Sequence, residues 1–313
     1  MVSHDPTVRS FSRAEFLRLM AAAGIAVAAG PGGVAAAAPI RRKPIPKTGE
    51  ELPMVGLGTW QTFDVGADAA ARKPLSEVLR VLFDAGGKTI DSSPMYGSSE
   101  QVVGDLLAES NAHAKAFLAT KVWTSGKDAG VQQMENSFRR MRTERMDLMQ
   151  VHNLLDWRTH LATLQRWKEL GRVRYVGITH YTSSALDDLC AVIEKHPVDF
   201  VQMAYSISVR DAEKRLLPLA ADKGVAVLVN RPFEGGTLFR SARAKPLPPW
   251  AVDVDCKTWG QFFLKFILAH PAVTCVIPGT SKPHHMMDNV AAGYGRLPGL
   301  RDRDRMAAYV ESL

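Results

Sequence analysis

The chain is short of cysteine, of long apolar runs and of clustered charge, and each shortage removes a class of protein. Its three cysteines, Cys190, Cys256 and Cys275, form no C-x-x-C pair and leave an odd thiol, so neither a disulfide framework nor a structural zinc site is expected. The thiols are assigned to the interior, and no metal site is expected. The sustained apolar stretch from Leu19 to about Ala29 is too short to span a bilayer as a stable anchor. Basic residues exceed acidic ones by 39 to 32, but the surplus is dispersed and forms no stripe that would read nucleic acid. It suits an anionic small ligand instead. A G-x-G-x-x-G turn is also missing, and "GLGTW" is the nearest approach, which counts against an open doubly wound dinucleotide-binding sheet.

Residues 1–38 differ in composition from the remainder of the chain. A charged start, a short apolar stretch and a small-residue run ending near Ala37 or Ala38 have the anatomy of a signal peptide. The piece "SRAEFLR" resembles a twin-arginine export signal, with Ala14 standing where the second arginine belongs. The reading is an exported, periplasmic protein if that signal functions and a cytoplasmic one otherwise. The targeting segment is set apart from a folded unit over 39–313, which is expected to have no membrane association once mature.

From Lys43 onward, short apolar strands alternate with amphipathic helices. "KTIDSS", "AFLATK", "MDLMQVH", "RYVGITH", "VDFVQMAYS", "VAVLVNRP" and "TCVIPGT" read as strands, each followed by a helical pattern. Pro74 is taken to open the first helix and Gly86 to close it. With "MVGLGTW" as the first strand there are eight units, which predicts an α/β fold of the closed (β/α)8 barrel type. "IPKTGEELP" is read as a hairpin over the barrel floor.

In such a barrel the chemistry lies at the carboxyl ends of the strands. Asp91 stands after the second strand with Tyr96 five residues on, Lys121 ends the third, and His152 ends the fourth. Thr179 and His180 follow the fifth, Gln202 lies on the sixth, Asn230 and Arg231 follow the seventh, and Gly279 to Lys282 follow the eighth.

These residues carry a resemblance. Asp91 with the adjoining "SSPMYGSSE", then "ATKVW", "DLMQVHN", "GRVRYVGITHY", "VDFVQMAYS" and "VIPGTSKPHHMMDNV" resemble, in order, six motifs of the aldo-keto reductase family over roughly 43–300. The resemblance implies reduction of a small-molecule aldehyde or ketone by NADPH, with NADH as the alternative cofactor. It implies a catalytic set of Asp91, Tyr96, Lys121 and His152. Negative charge builds on the carbonyl oxygen during such a reduction, so a proton donor must stand beside it. Tyr96 is assigned that role, and the Lys121 ammonium is expected to favour its phenolate while Asp91 cancels part of the effect. His152 is expected to orient the carbonyl oxygen.

For the cofactor, the resemblance implies Thr179, His180 and Gln202 at the carboxamide. His180 stands where the family has asparagine, and Asn230 where it often has a stacking tyrosine. Arg231 is a candidate for the diphosphate. Gly279, Thr280, Ser281, Lys282, His285, Asp288 and Asn289 are candidates along the phosphates and adenosine, with His285 in the place of an arginine for the 2′-phosphate. Trp60, Phe63, Trp123 and Trp157 are assigned to an aromatic substrate pocket. Two rival readings are a barrel lyase using Lys121 as a Schiff-base amine and a non-enzymatic NADP(H)-binding module. The oligomeric state is left open.

Overall fold

The computed structural model describes residues 39–313. The proposed targeting segment therefore lies outside the described residues. The chain enters through an antiparallel hairpin of β1 (Arg42–Pro44) and β2 (Glu51–Pro53), whose turn closes through the Ile45 N–H donating to the Glu50 carbonyl at 2.8 Å. Ile45 and Leu52 are fully buried in one apolar cluster with Phe117, Tyr175 and Phe200, so the hairpin plugs the barrel floor as its sequence suggests. Lys43 fastens it from outside, its ammonium donating to the carbonyls of His270 at 2.8 Å and Val273 at 2.7 Å, with Leu268 and Pro271 at 3.3 Å.

Eight parallel strands follow in chain order: β3 (Leu57–Gly58), β4 (Thr89–Asp91), β5 (Phe117–Val122), β6 (Met146–His152), β7 (Val173–Thr179), β8 (Phe200–Ala204), β9 (Ala226–Asn230) and β10 (Val273–Val276). The sheet closes on itself at a seam between the first and last of these. There the Gly56 N–H donates to the Val276 carbonyl and the Val276 N–H to the Met54 carbonyl, both at 2.9 Å. Gly58 bridges Gly279 across the seam, and a Cβ on Gly58 would stand 2.7 Å from the Ile277 carbonyl oxygen. Only glycine permits that approach.

Helices α1 (Ala69–Asp84), α2 (Ser99–Glu109), α3 (Lys127–Arg140), α4 (Trp157–Glu169), α5 (Leu186–Lys195), α6 (Leu216–Asp222), α7 (Thr237–Ser241), α8 (Trp259–Leu268), α9 (Pro283–Ala291) and α10 (Leu300–Glu311) cover the strands. The first departs from its expected boundary. Asp68 caps it, accepting from the N–H groups of Ala70 at 2.9 Å and Ala71 at 3.2 Å, and Pro74 falls inside it. An aspartate cap followed by alanines outweighs one missing donor. Gly86 does stand past the helix end, with φ +84°.

Side chains of a strand alternate between faces with period two. On the inward face, Ala119, Leu148, Tyr175, Phe200, Ala226, Leu228, Cys275 and Ile277 build an apolar lower layer with the hairpin. The next inward positions toward the carboxyl ends are Asp91, Lys121, Gln150, His152, Thr179, Gln202 and Asn230. The barrel interior is thus apolar below and polar above, and the polar layer forms the site. All three cysteines are buried and free.

Candidate active site

Lys121 is fully buried, with its ammonium 2.5 Å from Asp91 Oδ2 and 2.7 Å from the Ser92 carbonyl oxygen. The same ammonium lies 4.9 Å from the centroid of the Tyr96 ring. Burial acts to lower the Lys121 pKa, but Asp91 and Tyr96 outweigh it and hold the amine above its ordinary value. A Schiff-base nucleophile needs a neutral, unpaired amine. An ammonium clamped by a buried carboxylate and a carbonyl opposes that rival reading.

The Tyr96 phenol is pushed above its ordinary value. Burial is the largest cause, and Asp91 adds to it, against the opposing pull of Lys121. Lys121 does favour the phenolate and Asp91 cancels part of that pull, as expected, but burial outweighs both and the net shift is upward. Desolvation of a phenolate exceeds the attraction of an ammonium whose own charge is largely compensated by Asp91. The phenol stays protonated and keeps its proton for donation.

His152 is 5% exposed and meets Tyr96 edge-on, ring centroids 5.8 Å apart. Burial first, then the charges of Lys121 and His180, pushes its pKa down to about 2, so the imidazole is neutral. Its Nδ1 lies 3.0 Å from the hydroxyl of fully buried Ser93. Ser93 Oγ already accepts from the Met95 N–H at 3.4 Å. Donation from the Ser93 O–H to Nδ1 is the arrangement that puts the ring proton on Nε2. Ser93 lies within a recognised motif, yet the sequence alone gives it no role.

A ladder of amides extends from Asp91 across the polar layer. Gln150 and Gln202 both donate to Asp91 Oδ1, at 3.0 and 2.9 Å, and Gln202 Nε2 also donates to Gln150 Oε1 at 3.2 Å. Asn230 Nδ2 and Thr179 Oγ1 then donate to Gln202 Oε1, at 3.2 and 3.3 Å. Gly177 makes room for the ladder, since a Cβ there would stand 2.9 Å from Gln150 Cγ. Gln150 goes unnoticed in a sequence reading that looks only at strand ends, although it lies two residues before His152 and so shares its face.

The remaining candidates separate into those that reach the opening and those that do not. Trp60 and Trp123 are 48% and 40% exposed at the mouth, joined by Met95 at 38%. Trp123 lies 6.3 Å from the His152 ring, and Gln133 braces its backbone, accepting from the N–H at 2.5 Å and donating to the carbonyl at 3.1 Å. Phe63 is instead wholly buried in the core, because its loop folds back beneath the mouth, and Trp157 packs edge-on against His196 at 4.9 Å. Phe63 therefore serves packing, and Trp157 is half-buried against the core. Beside the ends of β8 and β9 is a cavity of about 320 Å³ whose lining includes Tyr181, Ser206, Arg231, Glu234 and Thr237. Arg231 is exposed at its edge.

His180 Nδ1 accepts from the N–H groups of Tyr181 at 3.1 Å and Thr182 at 3.2 Å, so the ring is tied into its own loop. Across the seam, Thr280 Oγ1 accepts from the Lys282 N–H at 3.0 Å, and Lys282 precedes α9 with His285 exposed in its first turn. Gly279, Ser281, Lys282 and His285 line a reachable edge. Asp288 is half-buried there. The Asp288 carboxylate is spent on Thr258 and Gln261 of the neighbouring α8 segment, at 2.8 to 2.9 Å, and Asn289 is buried. Asp288 thereby ties α9 to its neighbour.

An eight-stranded parallel barrel thus brings a carboxylate, an ammonium, a phenol and an imidazole together at its carboxyl end. The sequence profile described as "Aldo/keto reductase family" matches residues 54–298, and the chain belongs to that family. Among relatives, it is 29% identical over 204 residues to aldo-keto reductase YhdN of Bacillus subtilis (strain 168), covering 59% of this chain and 60% of that one. The match thus spans less than two thirds of the Bacillus protein. It is 26% identical over 247 residues to methylglyoxal reductase YeaE of Escherichia coli (strain K12), covering 77% and 85%. A crystal structure of an aldo-keto reductase from Klebsiella pneumoniae in complex with NADPH superposes with a TM-score of 0.69 at 25% identity, covering 83% of this chain and 92% of that one.

Proposed function

We propose that this protein reduces a small aldehyde or ketone with NADPH, with Tyr96 as the proton donor. The observation that carries the reading is the convergence of Lys121, Asp91, Tyr96 and His152 on one mouth, with the ammonium 4.9 Å from the phenol ring. Bound NADPH supplies the hydride that arrives at the carbonyl carbon. The chain's own residues do the rest. His152, neutral and carrying its proton on Nε2, holds the carbonyl oxygen beside Tyr96. The Tyr96 hydroxyl transfers its proton as charge builds on that oxygen, and the Lys121 ammonium stabilises the phenolate left behind. Asp91 keeps the ammonium aimed and charged.

The residues present suit a nicotinamide dinucleotide. A buried amide oxygen stands without a partner at Asn230 Oδ1, and Arg231, Lys282 and Ser281 offer cationic and hydroxyl groups for phosphates. Preference for NADPH over NADH rests on Lys282 and His285 at the start of α9. A binding module without chemistry would not need a buried ammonium beside a phenol, and that favours the enzyme.

The test is reduced-nicotinamide oxidation by the purified chain with a panel of aldehydes and ketones, NADPH and NADH run side by side. Turnover with NADPH is expected, and Tyr96→Phe should lower kcat by at least about a hundredfold while NADPH still binds. Undiminished turnover in that variant would overturn the mechanism.

A further inference from the structure

The polarity of the amide ladder fixes the free atom at its end. A carboxylate only accepts, so Asp91 Oδ1 requires Gln202 to present its Nε2. Gln202 therefore turns its Oε1 to Asn230, and Asn230 must answer with Nδ2. Reversing the Asn230 amide would bring two acceptor oxygens together. Asn230 Oδ1 consequently faces away from the ladder, buried and without a hydrogen-bond donor. A buried acceptor left unpaired costs about 1–3 kcal/mol, so a donor that visits the site has something to gain there.

Gln202 is already engaged at both ends of its amide. Its Nε2 protons are taken by Asp91 Oδ1 and Gln150 Oε1, and its Oε1 accepts from Thr179 and Asn230. His180, with Nδ1 accepting from its own loop, has only an N–H at Nε2 to offer. That N–H can serve a carboxamide oxygen but not a carboxamide amine. An acceptor for the amine is needed among the inward residues at the ends of β7, β8 and β9, and Asn230 Oδ1 is the one standing open.

Resting on the NADPH-dependent reading above, we infer that Asn230 is a cofactor-positioning residue whose Oδ1 accepts a hydrogen bond from the carboxamide amine of the nicotinamide. The contact would help to hold the carboxamide in place. It also links the cofactor to Asp91 through an unbroken run of amides, Asn230 to Gln202 to Asp91. At a position where the family resemblance anticipates a stacking aromatic ring, this chain uses a polar bond.

The test measures binding alone. Dissociation constants for NADP+ and for its 3-acetylpyridine analogue, in which a methyl replaces the carboxamide amine, are taken from quenching of protein fluorescence for the native chain and for Asn230→Leu. The native chain should prefer NADP+ by about tenfold. Asn230→Leu should lose that preference by weakening NADP+ and leaving the analogue unchanged, and its continued binding of the analogue shows that the site is folded. An unchanged preference, or an equal loss for both ligands, overturns the inference while the reductase reading stands. Failure of the native chain to bind either ligand overturns both.

Discussion

At the scale of single residues, the site works by keeping two protons where they are useful. Tyr96 is held protonated by burial and His152 is held neutral, down to about 2. The pH dependence has a definite sign. A donor whose pKa is raised stays armed through neutral and mildly alkaline pH, and a histidine whose pKa is depressed takes no proton near its ordinary 6.5. The kcat for reduction should therefore run flat from about pH 6 to about pH 9 and fall only toward the alkaline end. A limb centred near the ordinary histidine value in a stopped-flow or steady-state profile would contradict the assignment of His152. The same shift acts on folding. Below the unfolded histidine's value the unfolded chain gains a proton that the folded chain refuses, so His152 costs stability as pH falls from 6.5 toward 2. Asp91, Tyr96, Lys121 and His152 were legible because motif and strand-end position agree for each. The direction of the Tyr96 shift was not, because it depends on how far the phenol is dehydrated. Nor was the ladder, because a glutamine within a strand has no local pattern that separates it from a surface residue.

At the scale of elements, the alternation of short apolar strands with amphipathic helices reads directly, since strands covered on both faces by apolar layers leave a continuous apolar signature. Boundaries read less well. Pro74 looks like a helix opening, but Asp68 captures the start with two side-chain bonds. The long connection between β9 and α8 holds α7 and two 3-10 turns, Glu234–Gly236 and Pro249–Val254, in a stretch whose prolines and glycines mask helical propensity. The hairpin depends on an interaction that no pattern shows, the Lys43 ammonium gathered by carbonyls of the segment that ends α8 and leads into β10. Replacing it with an apolar chain of similar length strips those carbonyls of their donor. Lys43→Met should cost about 2 kcal/mol in urea unfolding with no change in kcat, because the hairpin lies at the end of the barrel away from the mouth. A loss of turnover at unchanged stability would mean that the floor communicates with the site.

At the scale of the whole molecule, residues 39–313 carry the barrel, its floor and its site. A chain beginning at residue 39 is expected to unfold at the same temperature as the full chain and to turn over at the same rate, measured by calorimetry and by the reductase assay. A large drop in either would assign the leading segment a part in the folded unit, against its reading as a targeting sequence. The seam near Gly58 and Gly279 has a further consequence. The first barrel strand, β3, finds its second neighbour only when nearly the whole polypeptide has been made. Until then the growing chain carries two bare strand edges. Synthesis should thus pass through a long interval in which this protein is an unfinished sheet, dependent on holdase chaperones and open to aggregation.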